Sequence, residues 1–284
     1  MKSGYLALFL ACTAPLMAQV DNASTKAAGT SPGVQEDIGD IQASESEESL
    51  PKFRATGQAM SEFTTNAKLQ GDHSSGDVLW IPSVELGYNV PINKKVTLDL
   101  MVKSDSVLYT NYFDDHSFFG FSSAATVDYR YKETWPRFYV DVEPYWYQAF
   151  DTGDKLASAI GFAGGADQGI PFNRGLSMFF WGVKFTNFQA SPGSDDRYQY
   201  RLIAGITHQF QPALYGQLFY SWQYSDYHNF SRHDSRHVVG ASLSYQLTAS
   251  LFGSFSTNFV DNDSNNSLAS YQSVNASLAL TWQF

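Results

Sequence analysis

Between His228 and His237 the chain gathers His228, Asn229, Ser231, His233, Asp234, Ser235 and His237, every residue type of a hydrolytic triad. A triad needs nucleophile, base and acid held within hydrogen-bond reach of one another. These residue types are also turn formers, they fall in what reads as a loop, and nothing in their spacing fixes a mutual geometry. No catalytic residue is therefore assigned. Asp261, Asp263 and Asn265 have the spacing of calcium-loop oxygens, but Asn266 stands where the turn glycine belongs and Gln272 where a bidentate Glu belongs. A single cysteine, Cys12, excludes a disulfide framework and a thiolate-rich zinc site. Neither a metal nor a cofactor is expected.

A second set of residues is more regular. Arg54, Glu62, Lys68, Glu85, Asp99, Lys103, Asp105, Asp128, Arg130, Asp141, Glu143, Arg197, Arg201 and Arg236 fall on the polar positions of segments that alternate polar with apolar. If those polar faces turn inward together, they line an enclosed, wet space with charges of both signs. Opposed acids and bases set up a transverse field that orders water and favours small polar solutes. The same charges can instead pair across the space and plug it, since a buried charge must be matched. The sequence leaves both outcomes open.

The elements that carry these residues are strands. The chain has 284 residues, 28 acidic against 18 basic, for a formal charge of −10. Aromatic and charged residues each make up 16%, and the mean hydropathy is −0.27, a balance unlike that of a soluble enzyme or a helical membrane protein. The acidic excess argues against a sequence-independent nucleic-acid binder. From Phe53 every second residue is apolar or small through Leu69, and the period of two recurs to the last residue. Segments of about ten residues with this alternation, separated by turn chemistry, are the signature of a transmembrane β-barrel. Tyr and Trp crowd the segment ends, as at Tyr145 to Tyr147 and at Tyr220, Trp222 and Tyr224, where headgroup-level girdles belong.

Connections alternate short and long. Pro91 to Lys95, Glu133 to Pro136, Gln211 to Ala213 and Thr248 to Ser250 are short, while Thr110 to Gly120, Asp226 to Ser235 and Asp261 to Ser270 are long and rich in Asp, Asn and Ser. With both barrel ends on one side of the membrane, each long loop must follow an odd strand. Ten strands and a further one at Leu176 to Gln189 break that parity, so a descending strand is required between Phe150 and Gly175. Leu156, Ser158, Ile160 and Phe162 supply it. The expectation is an all-β, closed antiparallel barrel of about twelve strands over 51–284, with Asp151 to Lys155 an outer loop and Gly164 to Gly175 a long inner turn. The rival is a ten-strand barrel with Asp151 to Gly175 folded inward.

Ahead of the barrel, Met1 to Ala18 reads as a secretory signal peptide: Lys2 is the basic start, Tyr5 to Ala14 the apolar run, and Leu16-Met17-Ala18 the cleavage site. Phe9-Leu10-Ala11-Cys12 is a poor lipobox, with Phe where an aliphatic belongs. Gln19 to Leu50 holds seven acids and one base and too little apolar surface to order itself, so it is expected to be a disordered acidic periplasmic tail.

Leu278, Leu280, Trp282 and Phe284 alternate with Ser277, Ala279, Thr281 and Gln283, and an aromatic closes the chain. This ending resembles the terminal assembly signal of Gram-negative outer-membrane β-barrels, with Ala276 where Tyr is frequent. The resemblance implies an outer-membrane location and recognition of the last strand by the barrel assembly machinery. Outer-membrane phospholipase A places His, then Ser two residues on, then Asn-Gly. At Thr207-His208-Gln209-Phe210 the serine is replaced by Phe210, and His208 reads as a girdle residue. Function is expected to be a narrow porin-like channel for small polar solutes. The alternatives are a non-conducting surface barrel whose Asp/Asn-rich loops bind a partner or lipopolysaccharide, and an outer-membrane lipid hydrolase. Asp72, Asp77, Asp114, Asp115, Asp195, Asp196, Asp226 and Asp234 are all expected on the outer side, within reach of cation-bridged lipopolysaccharide phosphate.

Overall fold

The computed structural model describes residues 52–66, 76–111, 117–132, 134–150, 152–153, 155–191, 193, 196–229 and 231–284, and the backbone of two three-residue strands, Ala18–Val20 and Thr30–Pro32, that pair antiparallel. The rest of the leader and of the acidic segment, together with Lys68, Asp72, Asp114, Asp115 and Asp195, lies outside the described residues.

Twelve strands close into one antiparallel barrel: β1 (Phe53–Thr64), β2 (Asp77–Asn93), β3 (Val96–Tyr109), β4 (Phe118–Tyr129), β5 (Arg137–Ala149), β6 (Lys155–Phe172), β7 (Ser177–Ser191), β8 (Arg197–Gln211), β9 (Leu214–Tyr227), β10 (Arg232–Gln246), β11 (Leu251–Ser264) and β12 (Tyr271–Gln283). Each pairs with its sequence neighbour, and β12 closes on β1 from Asn275↔Thr64 to Gln283↔Thr56. Closure leaves no unpaired edge, the condition for strands to sit in hydrocarbon. The parity argument holds: Leu156 to Phe162 lies in β6, and the ten-strand alternative is excluded.

The long inner turn is a correction. β6 continues through Gly164 and Gly169 to Phe172, and the reversal takes only the residues between Phe172 and Ser177. Asn173, Arg174 and Gly175 take φ of 51°, 56° and 86°, a left-handed run that Asn and Gly accept readily. The glycines upstream serve packing. A Cβ on Gly165 would collide with the Tyr139 phenol, and one on Gly169 would come within 2.6 Å of the Met178 sulfur. Two loops are also shorter than expected, because β9 runs to Tyr227, β10 starts at Arg232 and β11 runs to Ser264.

The barrel is inside out relative to a soluble protein. Leu218, Leu278 and Val140 are 65%, 64% and 60% exposed on the outer wall, while Glu62 and Gln199 on the inner wall are each 3% exposed. Apolar area of that size facing water is costly; facing acyl chains it is the favourable arrangement. Two outward prolines interrupt ladders they cannot donate to. No pair joins β2 to β3 between Trp80 and Ser83, where Pro82 lies, and none joins β4 to β5 between Ser122 and Ala125, opposite Pro144.

Candidate functional site: the barrel interior

Strand alternation turns one face of every strand inward. Among the described residues, the inward positions of β1–β7 carry Glu62, Asp77, Glu85, Asp99, Asp105, Asp128, Asp141, Glu143 and Asp167 against Arg54, Lys103, Arg137 and Lys184. Those of β8–β12 carry Arg197, Arg201, Arg232 and Arg236 against Asp234, amid Ser, Thr, Asn and Gln. An acidic wall therefore faces a basic one across the lumen.

Most acidic-wall charges are joined in clusters. Arg54 reaches Asp99 at 3.0 Å and Glu85 at 3.6 Å, and Gly87 leaves the room its guanidinium fills, since a Cβ there would stand 2.6 Å from Arg54 Cζ. Arg137 bridges Asp167 at 2.7 Å and Asp128 at 3.4 Å. Lys184 lies 3.1 Å from Glu143 and 3.3 Å from Asp141. These clusters sit in the half of the lumen bounded by the short turns. The side chains of Arg54, Asp99 and Glu143 are 22%, 23% and 26% exposed, so that half is a wet vestibule.

The loop-bounded half holds the main apolar cluster. Met60, Leu79, Ile81, Val107, Tyr109, Phe118, Tyr145, Tyr147 and Phe188 form one buried cluster. Phe118 and Tyr147 meet edge to face at 5.5 Å, as do Tyr145 and Phe188 at 6.2 Å. Next to it along the wall, Arg197 stacks over its register partner Phe188 at 4.5 Å and Arg232 over its register partner Tyr227 at 4.5 Å, with Arg232 also bonded to Asp234 at 2.7 Å. A smaller cluster of Phe180, Ile203 and Phe219 lies lower on β7–β9.

Of the expected lining residues, Arg54, Glu62, Glu85, Asp99, Lys103, Asp105, Asp128, Asp141, Glu143, Arg197, Arg201 and Arg236 sit on inward positions of strands, and Arg130 lies just past the end of β4. The sequence singles out none of Arg137, Asp167 and Arg232, and Lys184 lies on a strand that is apolar on both faces. The alternation itself carries Arg137 onto the face of Asp141 and Glu143, but it is the first residue of the strand, directly after the Glu133 to Pro136 connection. Asp77 and Asp234 correct the expectation of outer acids. Asp77 is 2% exposed and accepts from the backbone of Val78 and Asn111, while Asp234 is 4% exposed and faces the lumen.

The hydrolytic cluster is taken apart by the same alternation. Asp234 turns inward to Arg232, while Ser235 and His237 face outward, where Ser235 Oγ lies 3.3 Å from His237 Nε2, Trp222 donates to Ser235 at 3.0 Å, and Tyr220 bonds His237 Nδ1 at 2.8 Å. His208 faces outward beside Ser177 and Phe210, as a girdle residue does. The aromatic girdle on β7–β10 includes Phe185, Tyr198, Tyr200 and Tyr224. Among the described residues no three His, Cys, Asp or Glu side chains converge as metal ligands.

Residues 182–284 match the family described as "Putative beta-barrel porin 2". The fold is similar to that of an outer-membrane channel from Pseudomonas putida F1, with a TM-score of 0.56 at 12% identity, over 87% of this chain and 99% of that one. The chain is a closed twelve-strand β-barrel with the fold of that outer-membrane channel. The β domain of the Bordetella autotransporter BrkA aligns less closely, with a TM-score of 0.49 at 9% identity over 82% of this chain and 99% of its own. No curated protein matches the sequence of this barrel.

Proposed function

We propose that the barrel is a narrow diffusion channel for small polar solutes, with the loop-bounded half of the lumen as its constriction. The observation that carries this reading is the wet vestibule: charge stays partly exposed on the inner wall from Arg54 and Asp99 at its mouth to Glu143 at mid-strand, which a lumen built only as a core would not do. The porin family match over β7–β12 supports it. Solutes would enter past the cluster around Phe118 and Tyr147 when those rings move aside. Proteoliposomes test the reading. Swelling should be rapid in arabinose and absent in a tetrasaccharide; no swelling in arabinose removes the channel.

The apolar cluster at the loop end favours a second reading, a non-conducting surface barrel, because Met60, Ile81, Val107 and Phe118 are each at most 2% exposed. In either reading the outward girdle and loops would contact outer-membrane lipid and lipopolysaccharide. Leu278, Leu280 and Trp282, all outward on β12, would be offered to the assembly machinery before closure.

A further inference from the structure

We propose that the apolar band on the inner wall of β1 to β4 is a cation-selecting constriction, with Glu62 on its loop side and Asp105 on its vestibule side as the residues that set the selectivity, and that it passes small aliphatic ammonium ions. This deepens the channel reading and rests on it.

The band is Met60, Ile81, Val107 and Phe118, on inward positions of four neighbouring strands. Inward positions recur every second residue, about 7 Å apart along a strand. One such step from Met60 toward the loops is Glu62, whose register partners are Ser277 and Leu79. One step from Val107 toward the vestibule is Asp105, whose register partners are Ser83 and Gly120. The row of Asp105 and Ser83 crosses β1 at Gln58, so the rows of the two carboxylates bracket the band about 13 Å apart along the strand direction.

Both acids are hidden, and each keeps an oxygen without a donor. Glu62 is 3% and Asp105 6% exposed, and among the described residues Glu62 Oε2, Asp105 Oδ2 and Gln58 Oε1 are buried with no hydrogen bond. The bases of the acidic wall go to other acids: Arg54 to Asp99 and Glu85, Arg137 to Asp167 and Asp128, Lys184 to Glu143 and Asp141. Lys103 attracts Asp105 from the vestibule side but has Glu85 as its register partner. Of the arginines at the loop end, Arg197 lies over the Phe188 and Tyr227 rings and Arg232 is bonded to Asp234. The three orphaned atoms are all acceptors, and two belong to carboxylates, whose charge neutral water does not match. A cation supplies both donor and charge.

The band between the carboxylates decides which cation. A metal ion would have to pass Met60, Ile81 and Phe118 stripped of water, with no oxygen there to replace it. An alkylammonium ion brings its own methylenes to that band while its ammonium donates to a carboxylate. A Cβ on Gly120 would stand 3.0 Å from Asp105 Oδ1 and 2.8 Å from the Tyr147 ring, so a cation held at Asp105 also lies against an aromatic side chain.

Reversal potentials of the full chain in planar bilayers read the selection. In a potassium chloride gradient the native barrel should pass potassium about ten-fold more readily than chloride. With ethylammonium chloride facing potassium chloride, ethylammonium should be the more permeant cation. Glu62→Gln and Asp105→Asn keep the side-chain shapes and remove the charges; each should lower the cation-to-anion ratio to about three, and the two together to about one. A native ratio near one, or a preference for chloride, overturns the selection while leaving a channel. A native preference that survives in the double variant overturns the role of the two acids. Potassium passing better than ethylammonium overturns the ligand class. Absence of current at every salt concentration, from inserted protein, removes the channel and the selection with it. The native measurements decide even if a variant does not fold.

Discussion

Arg137 and Asp167 are register partners on β5 and β6 and meet as a fork: Nε donates at 3.0 Å and Nη2 at 2.7 Å to the same carboxylate oxygen, Oδ2. The guanidinium also lies 3.4 Å from Asp128, so one cation serves carboxylates on both neighbouring strands. Removing it leaves two acids in a sheltered wall without their counter-charge. Arg137→Ala should destabilise the barrel by about 1.5–3 kcal/mol, read as a lowered urea midpoint in detergent, and Arg137→Lys should cost less because it keeps the charge and loses only the fork. Equal midpoints for the native and Ala forms would contradict the assignment.

Glycines inside the wall are spaces for rings. A Cβ on Gly205 would strike the Leu218 carbonyl and the Phe180 ring, and one on Gly240 would strike Phe219, two of the three members of the lower apolar cluster. Gly205→Ala and Gly240→Ala should each destabilise by about 1–3 kcal/mol through overpacking. The Gly205 change should cost more, since a backbone carbonyl cannot swing away as a ring can. Gly57, where a Cβ would meet nothing within 4 Å, is the control and should tolerate Ala.

The proposed constriction at the aromatic cluster predicts its own opening. Truncating Phe118 and Tyr147 together removes the edge-to-face pair and two large fillers from the loop-bounded half. The double Ala variant should conduct several-fold more than the native barrel in planar bilayers and admit a disaccharide. Unchanged size exclusion would place the constriction elsewhere.

The seam between first and last strands depends on the final residue. Phe284 donates its backbone N–H to Ala55 at 2.9 Å and accepts from Ala55 at 3.1 Å. Deleting Phe284 removes both bonds at the turn end of the seam and the terminal aromatic together. The deletion should slow membrane insertion in a refolding assay, whereas Phe284→Tyr should insert at close to the native rate. Insertion of the deletion at the native rate would show that the ending contributes nothing to assembly.

The period of two was enough to assign the inner face of β1 to β5, because on those strands apolar and polar residues separate cleanly: Val84, Leu86 and Tyr88 point out while Glu85 points in. It was enough for the parity of loops as well, which required a strand through Ile160 before any contact was known. It failed where glycine and alanine stand for bulk supplied by a neighbour. Gly164 to Gly169 looks like a turn until Tyr139 and Met178 are seen to occupy the missing volume. It failed again on β7, where Phe179, Phe180, Trp181 and Val183 make both faces apolar, so that Lys184 has no readable side. Arg232 and Asp234 were hidden because strand ends that project beyond the apolar band carry loop-like composition. The segregation of charge between the two walls depends on which strands face one another across the lumen, and only closure of the barrel fixes that.

Single-channel recording of the full chain in planar bilayers tests the central claim, that the wet vestibule continues into a conducting path through a narrow seal. Discrete, short openings whose conductance rises with salt are the predicted result. Electrical silence at every voltage and salt concentration, from protein shown to be folded and inserted, would contradict it.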